Sequence, residues 1–148
     1  MNRLNLLKKI KFSEFVSLDL ETTGLSKTEN EIIEISALFF KDGKVVNEIT
    51  TLVKPNQSIP KNITNITSIN DLMVQDSPMI NDVLDDLLNF LNNKIILGDN
   101  VGFDIGFLEQ ACIKNNKVLN FASKIIKGLK RKINKSNKAS IKKFIKNC

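Results

Sequence analysis

Apolar and polar residues alternate with a two-residue period from 14 to 20, which predicts a strand with Phe15, Ser17, Asp19 and Glu21 on one face and Val16, Leu18 and Leu20 on the other. Thr22-Thr23-Gly24 breaks that pattern. A second alternating run, 31–40, sets Ile33, Ile35, Ala37 and Phe39 against Ile32, Glu34, Ser36 and Leu38. Lys41-Asp42-Gly43-Lys44 follows, with Asp-Gly at the centre as in a tight antiparallel hairpin, and 45–53 is the returning strand, ended by Pro55. Residues 57–76 read as a loop with short helical turns. Ser77-Pro78 then predicts a helix start, serine as cap and proline in the first turn. Ile80, Val83, Leu84, Leu87, Leu88 and Leu91 recur at helical spacing behind it. Asp82, Asp85 and Asp86 lie mostly off that face and read as solvated. A short apolar strand at 94–97 precedes Gly98-Asp99-Asn100. A helix at 102–115 follows, in which Phe103 and Phe107 pack inward, and further amphipathic stretches cover 121–133 and 139–145. Three antiparallel strands followed by helix, strand and helix predict an α/β mixed sheet with helices packed on it.

Composition narrows the class. The 148 residues make one domain-sized unit with no internal repeat and no Pro/Gly/Ser linker, read as an arm at 1–13 and a single domain at 14–148. The apolar runs are far shorter than the roughly 20 residues that span a bilayer. The first 11 residues carry positive charge without the apolar core or cleavage site of a secretory signal. No membrane partner and a cytoplasmic location are therefore expected. Two cysteines and no histidine exclude a zinc site of the usual kind and remove the commonest general base near neutral pH.

The net charge of +6 is unevenly distributed. Residues 1–109 hold all 16 acids and carry a net −6, whereas residues 110–148 carry +12 with no acid at all. The basic C-terminal segment 114–148 has the charge expected of a chain that meets a polyanion such as nucleic acid. A chain rich in Lys, Asn and Ile throughout also fits AT-rich coding bias.

Asp19 and Glu21 are the informative acids. Strand geometry puts both carboxylates on one face, where the chain leaves the sheet. Two such groups repel each other unless a cation lies between them, and hard oxygen ligands suit Mg²⁺ or Mn²⁺. An acid-x-acid pair alone also fits a solvated strand end.

The longer motif is more specific. Asp19-Leu20-Glu21-Thr22-Thr23-Gly24, continued by Leu25, and Asn100-Val101-Gly102-Phe103-Asp104 stand in this order about 80 residues apart. Over about 15–115, including Ile66-Thr67-Ser68-Ile69, the chain resembles the DEDD exonuclease family of ribonuclease H-like fold and is similar to bacterial DNA polymerase III proofreading subunits. The resemblance implies 3′–5′ exonuclease chemistry on single-stranded nucleic-acid 3′ ends, with a DNA polymerase subunit as a candidate partner. It implies that Asp19, Glu21 and Asp104 are catalytic metal ligands for two Mg²⁺ or Mn²⁺ ions. It also implies that Thr22, Thr23 and Leu25 line the pocket for the terminal nucleotide.

The family's third motif supplies a histidine base and a fourth acid. This sequence has no histidine and no acid after Glu109. Asp99 stands where many relatives have histidine, and Lys127-Gly128 where relatives often have Asp-Thr. The expectation is a domain truncated near the third motif, with impaired activity. Asp99 is either a replacement ligand or a surface acid. The alternatives to an enzyme are an inactive module that binds nucleic acid or a polymerase, and a truncated remnant.

Overall fold

The computed structural model describes residues 14–120. The expected arm at 1–13, the stretches 121–133 and 139–145, and most of the basic segment lie outside the described residues. Strand β1 spans Glu14–Thr22, β2 Ile32–Lys41 and β3 Lys44–Leu52. Helix α1 spans Lys61–Thr67, α2 Asp71–Val74 and α3 Ile80–Leu91; β4 is Ile96–Leu97 and α4 is Val101–Lys114. The sheet order is β3-β2-β1-β4, antiparallel across its first three strands and parallel between β1 and β4. The expected mixed sheet with packed helices is the fold observed.

The Asp-Gly turn forms as read. Asp42 and Gly43 both take positive φ, 50° and 81°, the pair of conformations that lets a two-residue turn follow the twist of its strands. Strand β1 lies between β2 and β4, so both of its edges are paired at its start. Leu18 and Leu20 pair with Ala37 and Ile35 on one face of the sheet. These side chains pack with Leu87 and Leu91 of α3 and Ile105 and Leu108 of α4. On the other face Phe15 pairs with Phe40, Asp19 with Ser36 and Glu21 with Glu34. Residues 59–74 form a second apolar cluster, with Ile59, Ile69 and Val74 around Ile33 of β2.

The start of α3 differs from the reading of Ser77-Pro78. The helix begins at Ile80, and the Asp82 carboxylate caps it by accepting the Met79 N–H at 2.9 Å. Pro78 serves the fold in another way. Its carbonyl accepts the Lys54 N–H at 2.9 Å and ties the chain leaving β3 to the helix entry. An acid three residues into a helix competes well for an orphan amide, so the start lies two residues further on. The apolar face of α3 is as read, with Leu84, Leu87 and Leu91 buried. Asp85 and Asp86 are exposed, and Asp85 pairs with Lys117 at 2.8 Å.

Gly98 fixes how α4 approaches the sheet. A Cβ there would lie 2.7 Å from the Leu18 carbonyl oxygen of β1, so the turn out of β4 runs directly against the strand that carries Asp19. Gly98→Ala should therefore lower stability by about 1–3 kcal/mol, the usual cost of overpacking. The urea midpoint measures it; an unchanged midpoint would mean that this turn has room to spare.

Candidate active site

Three of the expected site residues converge on the C-terminal end of β1. Asp19 is exposed and Glu21 half-buried, on the same sheet face, two residues apart. Asp104 arrives from the first turn of α4 and is 4% exposed. Its Oδ1 accepts the Leu20 N–H at 2.9 Å, so the acid is bound to the backbone between Asp19 and Glu21. This bond is available because β4 pairs only with Val16 and Ser17 and leaves the edge of β1 open beyond them.

Burial pushes the Asp104 carboxyl up to about 7, and the charges of Asp19 and Glu21 add to that, against the lowering effect of the Leu20 N–H. A carboxyl held between two others and away from water is the arrangement a cation would relieve. Among the described residues, no three acids, cysteines or histidines already stand close enough to hold an ion. Gathering Asp19, Glu21 and Asp104 around one would take side-chain movement.

The Thr22–Leu25 turn is braced from within. Thr22 and Thr23 are 8% and 7% exposed. The Thr22 hydroxyl donates to the Gly24 carbonyl at 2.7 Å, and the Thr23 hydroxyl accepts the Glu31 N–H at 2.9 Å. Thr23 N–H donates to the Glu31 carbonyl at 2.8 Å, and the Asn30 side chain accepts the Ser26 N–H at 2.9 Å. Glu31 itself is anchored by the backbone amides of Asn56 and Gln57 at 3.0 and 3.1 Å. The result is a rigid turn that holds Leu25 out into solvent, 87% exposed. Phe103 and Phe107 pack inward as expected, their ring centres 4.8 Å apart, with Phe107 buried and Phe103 against the main core.

Two residues of this region escape the reading of the sequence. Glu31 braces the turn, and Glu34 stands opposite Glu21 in β2. The pairing of β1 with β2 is set across a loop, so alternation alone does not reveal that the two acids share a face. Asp99 is half-buried, two residues before α4 begins at Val101.

The chain belongs to the RNase T exonuclease family, whose model matches residues 16–144. It is 40% identical over 106 residues to the DNA polymerase III PolC-type of Clostridium perfringens, a match covering 72% of this chain. The chain spans only about 7% of the length of that relative. Among solved structures it is similar to exonuclease X in complex with 5′ overhanging duplex DNA, at 32% identity and a TM-score of 0.54, over 64% of this chain and 53% of the other. E. coli exonuclease I in complex with a dA16 oligonucleotide shares the fold at a TM-score of 0.63 and 20% identity, over 72% of this chain and 24% of that one. The mixed sheet with its helices is thus the ribonuclease H-like exonuclease fold. No helix among the described residues is long and apolar enough to cross a membrane.

Proposed function

We propose that this chain acts on nucleic-acid 3′ ends as a 3′–5′ exonuclease module, with Asp19, Glu21 and Asp104 as its catalytic metal ligands. The observation that carries this reading is the buried Asp104 carboxyl, held by the Leu20 N–H between two further acids. The donor set is all carboxylate oxygen, which suits Mg²⁺ or Mn²⁺. When bound there, two such ions would polarise the scissile phosphate and lower the pKa of an attacking water. Thr22 and Thr23 stand in the braced turn beside Leu25, where they would line the pocket for a terminal nucleotide. Leu25, projecting from a braced turn, is suited to wedge against the terminal base.

Activity of the 148-residue chain is expected to be weak. It contains no histidine to take the water's proton, and loss of a general base typically costs about 10²–10⁴ in rate. The PolC-type similarity makes a polymerase the natural setting for such a module. A second reading, a non-catalytic module that binds nucleic acid, is favoured by one observation: residues 110–148 hold 12 bases and no acid.

The test is cleavage of a 5′-labelled single-stranded oligonucleotide with Mg²⁺ or Mn²⁺. The expected result is a slow ladder of products shortened from the 3′ end, absent with Asp19→Ala. Salt-sensitive binding without cleavage, unchanged by Asp19→Ala, would replace the enzyme by the binding module.

A further inference from the structure

The turn that presents Leu25 is fastened to the rest of the fold chiefly through the side chain of Glu31. Strand β2 begins at Ile32, and its pairing with β1 shifts register between Glu21 and Thr22. Regular ladder bonds therefore stop short of this stretch, and its contacts are local. Thr23 makes two bonds with the Glu31 backbone, and the Asn30 side chain accepts the Ser26 N–H. Gly24 lies so close to Asn30 that a Cβ there would meet its side-chain oxygen at 2.5 Å. Residues 23–26 are thus moulded on Asn30 and Glu31, and follow wherever that pair is held.

The Glu31 carboxylate does the holding. Its two oxygens accept the Asn56 N–H at 3.0 Å, the Asn56 side-chain amide at 2.6 Å and the Gln57 N–H at 3.1 Å. Hydrogen bonds to an ionised acceptor are the stronger kind. The anchor is itself fixed, because Pro55 is buried and the Lys54 N–H donates to the Pro78 carbonyl. On its other flank the turn meets α4 through lysines, Lys27 lying along Gly106 and Lys114 Nζ reaching the Thr28 carbonyl at 3.5 Å. That bond is long, exposed and weak. The fold gains little from a firm mount for Leu25, an apolar side chain left 87% exposed. A rigid mount is useful when the side chain has something to meet.

We propose that Glu31 is a positioning residue for the 3′-terminal nucleotide, acting through the turn that aims Leu25. This rests on the nucleotide pocket proposed above and gives it a support outside the motif. Among the described residues, the Glu31 carboxylate bonds to Asn56 and Gln57, not to the acids at the end of β1. A loose turn would have to be ordered as the strand end binds, and Glu31 removes that cost beforehand.

The experiment is fluorescence anisotropy of the full chain with a 5′-labelled single-stranded oligonucleotide, with Ca²⁺ in place of Mg²⁺. The variants are Glu31→Ala, Glu31→Gln, Leu25→Ala, the Leu25→Ala/Glu31→Ala pair and Glu29→Ala. Glu29 is an exposed acid of the same turn. Removing an acid ordinarily favours a polyanion, so weaker binding in Glu31→Ala reads position and not charge. Glu31→Ala should weaken binding about 3–10-fold, the scale of ordering a loop side chain. Glu31→Gln, which keeps an oxygen for Asn56, should lose less, and Glu29→Ala nothing. Glu31→Ala should add little to Leu25→Ala, since residues acting as a unit are not additive; a merely structural role gives additive losses. Should Glu31→Ala not fold, Asn56→Ala breaks the 2.6 Å bond from the other side and should weaken binding likewise. Unchanged affinity in these variants, or full additivity, with binding weakened by Leu25→Ala, overturns the role of Glu31 and leaves the pocket standing. Binding unmoved by Leu25→Ala overturns the pocket and the role of Glu31 with it.

Discussion

Asp104→Asn should stabilise the metal-free protein at pH 8 by about 2–4 kcal/mol while removing its divalent-ion binding. The carboxyl is raised in the folded chain to about 7, whereas in an unfolded chain it titrates at about 3.9. The folded state therefore holds a proton that the unfolded state releases as pH rises between these values. Stability follows ν(unfolded) − ν(folded), which is negative in that window, so it falls as pH rises from about 4 to about 7 and stays low above it. At about 1.4 kcal/mol per pH unit, the full penalty is about 4 kcal/mol. Asparagine keeps an oxygen for the Leu20 N–H and carries no charge to bury. Thermal melting in EDTA at pH 5 and pH 8 measures this. The unsubstituted chain should melt lower at pH 8 than Asp104→Asn by about 5 °C or more, with the gap narrowing to about a third of that at pH 5. Mn²⁺ should restore the unsubstituted chain and leave the variant unmoved. A variant that melts lower at pH 8 would mean that the carboxylate is well accommodated without a cation.

Phe40→Ala should cost about 3–5 kcal/mol, the range for removing a buried aromatic side chain. Phe40 is fully buried and stacks on Phe15, its cross-strand partner, with ring centres 5.0 Å apart and planes at 11°. The pair closes the sheet face at the start of β1, on the same side as Asp19 and Glu21. Domains of this size hold about 5–15 kcal/mol in all, so the loss would leave little. Urea denaturation followed by circular dichroism reads it, with Phe40→Leu as a milder control. A loss under about 1 kcal/mol would show that this face refills without the ring.

Much of this is legible in the sequence, for local reasons. The period of β1 and β2, the Asp-Gly turn and the leucine face of α3 depend on neighbours a few residues apart. The two motifs carry the family, and Asp19 and Glu21 share a face because strand period requires it. What escapes depends on distant contacts. The bond from Leu20 to Asp104 joins residues 84 apart, and nothing local announces it. Glu34 looks like one more polar position in an alternating strand until its register against β1 places it opposite Glu21. Ser77 has the look of a cap so long as Asp82 counts as surface charge, yet Asp82 holds the helix start. Thr22 and Thr23 match a pocket motif, and the structure shows that their hydroxyls also build the turn that presents Leu25.

Asp19, Glu21 and Asp104 are proposed to form one divalent-cation site at the end of β1. Titrating Mn²⁺ into the isotopically labelled chain and following amide signals by NMR tests it directly, because the paramagnetic ion broadens only nearby resonances. The expected result is selective loss of the Leu20, Glu21, Thr22 and Asp104 amides at low Mn²⁺, abolished by Asp19→Asn. Broadening centred on Asp82, Asp85 and Asp86 of α3, or no selective loss, would contradict it.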